Sequence, residues 1–278
     1  MSNREKALHL EQTARTVRKN VLAMIHTAKS GHPGGSLSAA DIMTALYFSE
    51  MNVQPEDPHW DERDRFVLSK GHCCPVLYTC LAMRGFFPME TLGTLRQEGS
   101  ILQGHPDMKK CPGIDISTGS LGQGLSVAVG MALRAKRDHM AYRVFALLGD
   151  GECDEGQIWE ATQTASKYAL DNLIIIVDQN GLQNDNTCEI VMPTLDLAQK
   201  FEAFGCAAQT VDGHHMETLL DALDRTRASN QGKPHCIVCK TVKGKGVSFM
   251  ENVVMWHGMA PDDTQYAKAI QDIEEGFE

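Results

Sequence analysis

Small and apolar side chains recur at Leu10, Ala14, Val17, Val21, Met24 and Ala28, in steps of four and three. That spacing lays out one face of a long amphipathic helix over residues 5–29. The run SGHPGGSLS then interrupts the pattern, and Ser38 is placed to cap a second helix through ADIMTALYF. Residues 50–64, rich in Pro, Asp and Glu, read as a surface loop before a short strand, RFVLS. Beyond it, strand-like runs at 143–148 (RVFALL), 173–178 (LIIIVD), 207–211 (AAQTV) and 236–241 (CIVCKT) alternate with helical patterns over 155–169, 195–204 and 215–229. LIIIVD is apolar throughout rather than alternating, as expected of a strand covered on both faces. Strands and helices in alternation predict an α/β fold, a parallel sheet flanked by helices. No repeat or linker divides the pattern, so residues 1–262 read as one domain and 263–278 as a C-terminal tail of amphipathic helical character.

Composition narrows the classes of function. A chain of 278 residues, 42% of them hydrophobic, can bury a substantial core. A formal charge of −10 argues against a nucleic-acid partner, because neutralising phosphates requires a basic face. No apolar run approaches the roughly 18 residues of a membrane span, and the polar start MSNREKALHLEQ has no signal core. The nine cysteines are odd in number and lack the spacing of a zinc site. Cys236 and Cys239, three apart on a strand, face opposite sides and cannot easily pair. Reduced thiols in a cytoplasmic protein are expected.

Chemistry gathers where strands end. RVFALL runs into Gly149-Asp150-Gly151-Glu152, followed by a helical pattern. In open parallel sheets ligands sit at the carboxyl ends of strands. Flanking glycines let the backbone approach a bulky anion, and amides opening a helix favour phosphate. Such a triplet alone also populates ordinary turns. The next strand changes that: LIIIVDQ ends in Asn180-Gly181-Leu182, with Asn180 30 residues after Asp150. If the two strands are neighbours, a carboxylate, an amide oxygen and a backbone carbonyl converge. These hard donors suit Mg²⁺ or Ca²⁺ with open positions for diphosphate oxygens.

The stretch GDGECDEGQIWEA…LIIIVDQNGLQ resembles the signature of thiamine diphosphate enzymes. The resemblance implies thiamine diphosphate as cofactor, Asp150, Asn180 and the Leu182 carbonyl as ligands to Mg²⁺ (or Ca²⁺), and Gly151 and Asn180 at the diphosphate. SGHPGG (30–35), DRFVLSKGH (64–72), QGHPD (103–107), STGSLGQGLSVAVGMA (117–132), VDGH (211–214) and WHGMAP (256–261) resemble transketolase segments, in transketolase order, from about residue 5 to 262. On that resemblance His32 and His105 contact the substrate sugar and assist proton transfer. His72 and His257 lie beside the diphosphate and the reacting carbon, and the Gly119-Ser120-Leu121 backbone borders the cofactor, with serine where many transketolases carry proline. Glu155 either caps the next helix or, as in the family, joins a proton relay between active sites. His9, His26, His59, His139, His214, His215 and His235 read as ordinary surface or structural histidines, and Lys243 and Lys245 in TVKGKG as a flexible solvated loop.

In the family, a glutamate and aromatic side chains on a separate pyrimidine-binding domain complete the site. Little sequence follows WHGMAP here. The expectation is therefore the N-terminal subunit of a split transketolase, partnered by a C-terminal, pyrimidine-domain subunit, with two of each chain in the assembly. It would move a two-carbon ketol unit from a ketose phosphate to an aldose phosphate. Alternatives are a non-catalytic module that binds the cofactor, or half of a deoxyxylulose-phosphate synthase. The Glu155-Gly156 pair counts against the synthase, whose pattern has Gly-Gly there. The alpha chain of a 2-oxoacid dehydrogenase is a weaker rival, lacking SGHPGG and STGSLGQG.

Overall fold

The structure is a computed structural model that describes residues 3–229 and 231–276. The first two residues of the expected domain, Asn230, and the last two of the expected tail lie outside the described residues. Five strands, β1 (Arg65–Leu68), β2 (Val144–Gly149), β3 (Leu173–Gln179), β4 (Ala207–Asp212) and β5 (His235–Lys240), form one sheet in the order β1-β2-β3-β5-β4. Every neighbouring pair is parallel, so all five carboxyl ends share one edge. The helices are α1 (Asn3–Ala28), α2 (Pro33–Ser38), α3 (Ala40–Ala45), α4 (Cys74–Arg84), α5 (Gln123–Arg137), α6 (Gly156–Lys167), α7 (Cys188–Val191), α8 (Leu197–Ala203), α9 (Met216–Ala228) and α10 (Asp263–Glu275).

The two-residue period of a strand sorts side chains into two cores. Phe145, Leu147, Ile174, Ile176, Ile237 and Cys239 face α1, α3, α4 and α9. Val144, Ala146, Leu148, Ile175, Val177, Cys236 and Val238 face α5, α6 and α8. Cys236 and Cys239 thus lie on opposite faces, and all nine cysteines are unpaired and buried. The stripe on α1 is the one its spacing predicts, with Leu10, Ala14, Val17, Val21 and Met24 all buried. Helix α10 begins with a reciprocal capping box between Asp262 and Gln265. It packs on α1 through Ile273 and Ala269, a stack of Tyr266 on His26 and a Lys19–Glu274 pair at 2.8 Å. No helix among the described residues is long and apolar enough to cross a membrane.

The SGHPGGSLS segment departs from expectation. Rather than breaking the chain, PGGSLS forms α2, and Ser38 is its last residue, not the cap of α3. Pro33 opens the helix, where its fixed φ is favourable. The glycines are required for contact: a Cβ on Gly34 would stand 2.8 Å from the Trp256 carbonyl oxygen, and one on Gly35 2.6 Å from Cys73 Sγ. The Ser38 hydroxyl donates to Asp178 Oδ2 at 2.6 Å, fastening α2 to the end of β3.

His214 keeps its structural reading. Its Nε2 accepts the Val242 N–H at 2.8 Å, which leaves the proton on Nδ1 to donate to Asp41 Oδ2 at 2.7 Å. Asp41 also takes both Nη groups of buried Arg18. Burial opposes ionisation of Asp41, but Arg18 and His214 prevail and hold its carboxyl at about 2. The network joins α1, α3 and the loop after β5.

Candidate active site

The register of the sheet assembles the site. Gly149 pairs with Asp178 and Gln179 with Lys240, so the turns leaving β2, β3 and β5 emerge side by side. Between them lies a cavity of about 260 Å³. Of the residues singled out in the sequence, His72, Gly119, Leu121, Asp150, Gly151, Asn180, Leu182 and His257 line it. Ser120 and Glu155 do not line it; both are exposed.

Asp150 is 2% exposed, and backbone amides define its carboxylate. Oδ1 accepts from Gly151 at 2.8 Å and Oδ2 from Gly181 at 2.6 Å. Burial raises its pKa, against those two bonds. Asn180 Oδ1 accepts the Leu182 N–H at 3.2 Å while its Nδ2 faces Asp178. A short 3₁₀ turn, Gly151–Asp154, follows Gly-Asp-Gly, and α6 starts at Gly156, one residue inside the expected 155–169. Glu155 occupies the N-cap position of α6, where a negative charge is favourable, and makes no side-chain cap bond. It packs beside Gly122, where an added Cβ would stand 2.8 Å from Glu155 Cβ.

His32, His72 and His257 form a cluster with ring centroids 5.1–5.5 Å apart. Burial, then neighbouring cations and one another, lowers His32 to about 4, His72 to about 2 and His257 to about 3. His32 stands behind the cavity wall, and its Nδ1 is buried with no hydrogen-bond partner among the described residues. His105 is exposed. Its ring lies against Gly119, whose φ of +149° and 3.0 Å approach to His105 Cδ2 leave no room for a side chain. Burial and the nearby Arg96 lower its pKa.

These shifts set a pH dependence. Above the unfolded value of about 6.5, His32, His72 and His257 are neutral whether the chain is folded or not, and contribute nothing. Below it the unfolded chain takes up protons that the folded chain excludes, so stability falls with pH. The loss reaches up to about 1.4 kcal/mol per pH unit for His72, and less for His32 and His257, which retain solvent contact. Thermal melts of the cofactor-free chain should show Tm falling steeply from pH 7 to 5, with a shallower fall in His72→Gln. Parallel slopes for the two proteins would contradict the assignment.

Four charged residues matter more than their sequence context predicts. Lys243 is only 3% exposed, not a solvated loop residue. Its Nζ donates to the Leu182 carbonyl at 2.8 Å and lies 2.8 Å from His257 Nδ1, and burial lowers its pKa. The loop is packed rather than flexible, since a Cβ at Gly244 would meet the Met250 carbonyl oxygen at 2.5 Å. Lys245 is half-buried beside Glu251 at 3.5 Å. Lys70, 1% exposed, pairs with fully buried Asp178 and donates to the Gly35 carbonyl at 3.0 Å. Burial works against both charges, but their mutual attraction raises Lys70 and lowers Asp178. Glu152, 3% exposed, accepts from Ser69 Oγ and from the Gly122 and Gly149 amides at 3.0 and 3.1 Å. The only sequence signal for these residues is a charge set directly against a buried strand or a glycine.

Residues 10–277 match the thiamine diphosphate binding domain of transketolases. The chain belongs to the transketolase family. It is 43% identical over 270 residues to the 6-deoxy-6-sulfo-D-fructose transketolase subunit SqwG of a Clostridium species, covering 97% of this chain and 98% of that one. It is 43% identical over 269 residues to an apulose-4-phosphate transketolase subunit from Phocaeicola vulgatus, covering 97% and 95%. Human transketolase is 41% identical over 273 residues, but this chain spans only 43% of its length. The crystal structure of Campylobacter jejuni transketolase superposes with a TM-score of 0.90 at 33% identity, over 95% of this chain and 42% of that one. The parallel sheet and the transketolase-like segments are thus those of this family.

Proposed function

We propose that this chain is the diphosphate- and metal-binding subunit of a two-chain transketolase. It transfers a two-carbon ketol unit from a ketose phosphate, or a similarly anionic ketose, to an aldose acceptor. One observation carries the reading: a chain the length of proteins named transketolase subunits brings Asp150, Asn180, Leu182, His72 and His257 around one cavity at the carboxyl edge of the sheet.

The donors fit a hard divalent cation. They comprise a carboxylate, an amide oxygen and a carbonyl, and the internal ammonium of Lys243 already sits on the Leu182 carbonyl, a stand-in for positive charge at that position. Among the described residues no group of three or more His, Cys, Asp or Glu side chains offers a rival metal site. Asp150, Asn180 and the Leu182 carbonyl would hold Mg²⁺ (or Ca²⁺), leaving positions for diphosphate oxygens. Gly151, Asn180, Lys243 and the Gly119-Ser120-Leu121 backbone would hold the cofactor. Thiamine diphosphate, when bound, supplies the carbon nucleophile that accepts and releases the two-carbon unit. The chain contributes the surroundings. His72 and His257, neutral at physiological pH, donate to the diphosphate side, and His32 and His105 exchange protons with the sugar hydroxyls.

Residues 1–262 form the diphosphate domain, with α10 (Asp263–Glu275) a helical extension of it, and the pyrimidine domain belongs to a partner chain, two of each restoring a transketolase dimer. Exposed apolar side chains adjoin the cavity in sequence and support a covering partner. Ile190, Met192 and Leu195 (69, 56 and 72% exposed) follow the Leu182 turn, and Met255 (57%) precedes His257. Glu155, exposed in this chain, would join a proton relay across such an interface. Reduced, buried cysteines accord with a cytoplasmic enzyme.

The reaction class is tested by supplying the assembled complex with Mg²⁺, thiamine diphosphate and either a ketose phosphate with an aldose phosphate acceptor, or pyruvate. Ketol transfer without CO₂ release is expected. Release of CO₂ from pyruvate would favour a synthase, and inertness of an intact, cofactor-loaded complex a regulatory module.

A further inference from the structure

The Asp178 carboxylate, buried between four chain segments, is not a member of the proposed ligand set, yet it faces one of its members. Its Oδ2 accepts from Lys70 Nζ, from Ser38 Oγ at 2.6 Å and from Asn180 Nδ2 at 3.3 Å, while Oδ1 accepts from Thr241 Oγ1. We propose that Asp178 is a positioning residue that fixes the Asn180 amide with its oxygen toward the cation. The inference rests on the metal assignment above.

The two ends of an amide are alike in shape and opposite in polarity. A divalent ion can use only the oxygen. On the inner side of Asn180 stands a carboxylate bound to a lysine, which accepts and cannot donate. Beside it Ser38 Oγ, whose own hydrogen is directed to Asp178, stands 3.4 Å from Asn180 Nδ2 as a second acceptor. Both neighbours demand the NH₂ end. Asn180 Oδ1 is therefore turned outward, where the Leu182 N–H meets it at 3.2 Å and its second lone pair is left for the ion. The register that sets Gly149 beside Asp178 puts Asp150 in the adjoining turn, where its Oδ2 accepts the N–H of Gly181, the residue after Asn180. Replacing Asp178 by Asn and Lys70 by Met together leaves an amide free to offer either end, because Ser38 can donate to the Gly35 carbonyl instead, and this lets Asn180 turn over.

The test is Mn²⁺ affinity, followed by electron paramagnetic resonance, on the full chain assembled with its partner and thiamine diphosphate. Asp178→Asn alone keeps an oxygen toward the Lys70 and Ser38 donors, still favours the Asn180 NH₂ there, and should weaken Mn²⁺ binding less than about 10-fold. That variant leaves Lys70 buried without a counter-ion and can fail to fold. Asp178→Asn with Lys70→Met removes one charge of each sign, keeps the local net charge, and should weaken Mn²⁺ binding about 10- to 100-fold, as loss of a group orienting a metal ligand does. Thr241→Val removes a different donor to the same carboxylate; it should lower Tm and leave Mn²⁺ affinity unchanged. Wild-type affinity in the double variant would mean that Asp178 only balances Lys70, and would overturn the proposal. So would an equal loss in Thr241→Val, which would mark a general loosening. If Asp150→Ala also binds Mn²⁺ like wild type, the metal assignment fails instead.

Discussion

Asp150→Ala is expected to weaken Mg²⁺-dependent binding of thiamine diphosphate by at least about 100-fold. The Asp150 carboxylate ties the end of β2 to the turn after β3 through the Gly151 and Gly181 amides, and in the proposed site it supplies the only formal negative charge among the cation's protein ligands. A hydrogen bond to a charged group contributes about 1.5–3 kcal/mol. Removing the acceptor of two leaves buried N–H groups unpaired at a cost of about 3 kcal/mol or more, before the lost attraction to the metal. Asp150→Asn should fare little better, because both oxygens accept from N–H groups and an amide must turn its NH₂ toward one of them. Isothermal titration with the metal present or chelated reads the effect directly. Equal affinity in wild type and Asp150→Ala would remove Asp150 from the site.

Glu152→Ala should lower stability by about 3 kcal/mol or more. For a chain of this size that is about 6–12 °C in Tm. Glu152 joins the loop after β1, the loop before α5 and the last residue of β2 through Ser69, Gly122 and Gly149. Three donors converge on one buried carboxylate. Glu152→Gln tests this against a simple packing role. It preserves volume but sets an NH₂ group against N–H donors, so its Tm should fall nearly as far as that of the alanine variant. A Tm for Glu152→Gln close to wild type would show that shape alone mattered.

Periodicity carries most of the architecture in the sequence. The α1 stripe, the doubly covered β3 and the alternation of strands with helices are local patterns, and α1, the five strands, α6, α8 and α9 fall within a residue or two of their expected bounds. Asp150, Asn180 and Leu182 are legible because strand ends in a parallel sheet are predictable places for ligands. Lys70 and Asp178 are not, because a buried ion pair formed across 108 positions of sequence leaves no periodic trace, and each member alone looks like an ordinary polar boundary. Lys243 is hidden for a related reason: glycines that signal a flexible loop also permit a close-packed one, and only the Met250 contact separates the two. Glu155 shows the opposite limit, since the proposed relay role of an exposed carboxylate leaves no trace in its own chain's packing.

The central claim is that this chain holds the metal and diphosphate while a second chain completes the reacting centre. Its most direct test is a titration of this chain, at fixed concentration with Mg²⁺ and thiamine diphosphate, by its pyrimidine-domain partner, following ketol transfer. Each chain alone should be inactive, and activity should rise with partner and saturate at one equivalent, with Asp150→Ala silent throughout. Turnover by this chain without the partner, or saturation at full rate with Asp150→Ala, would contradict it.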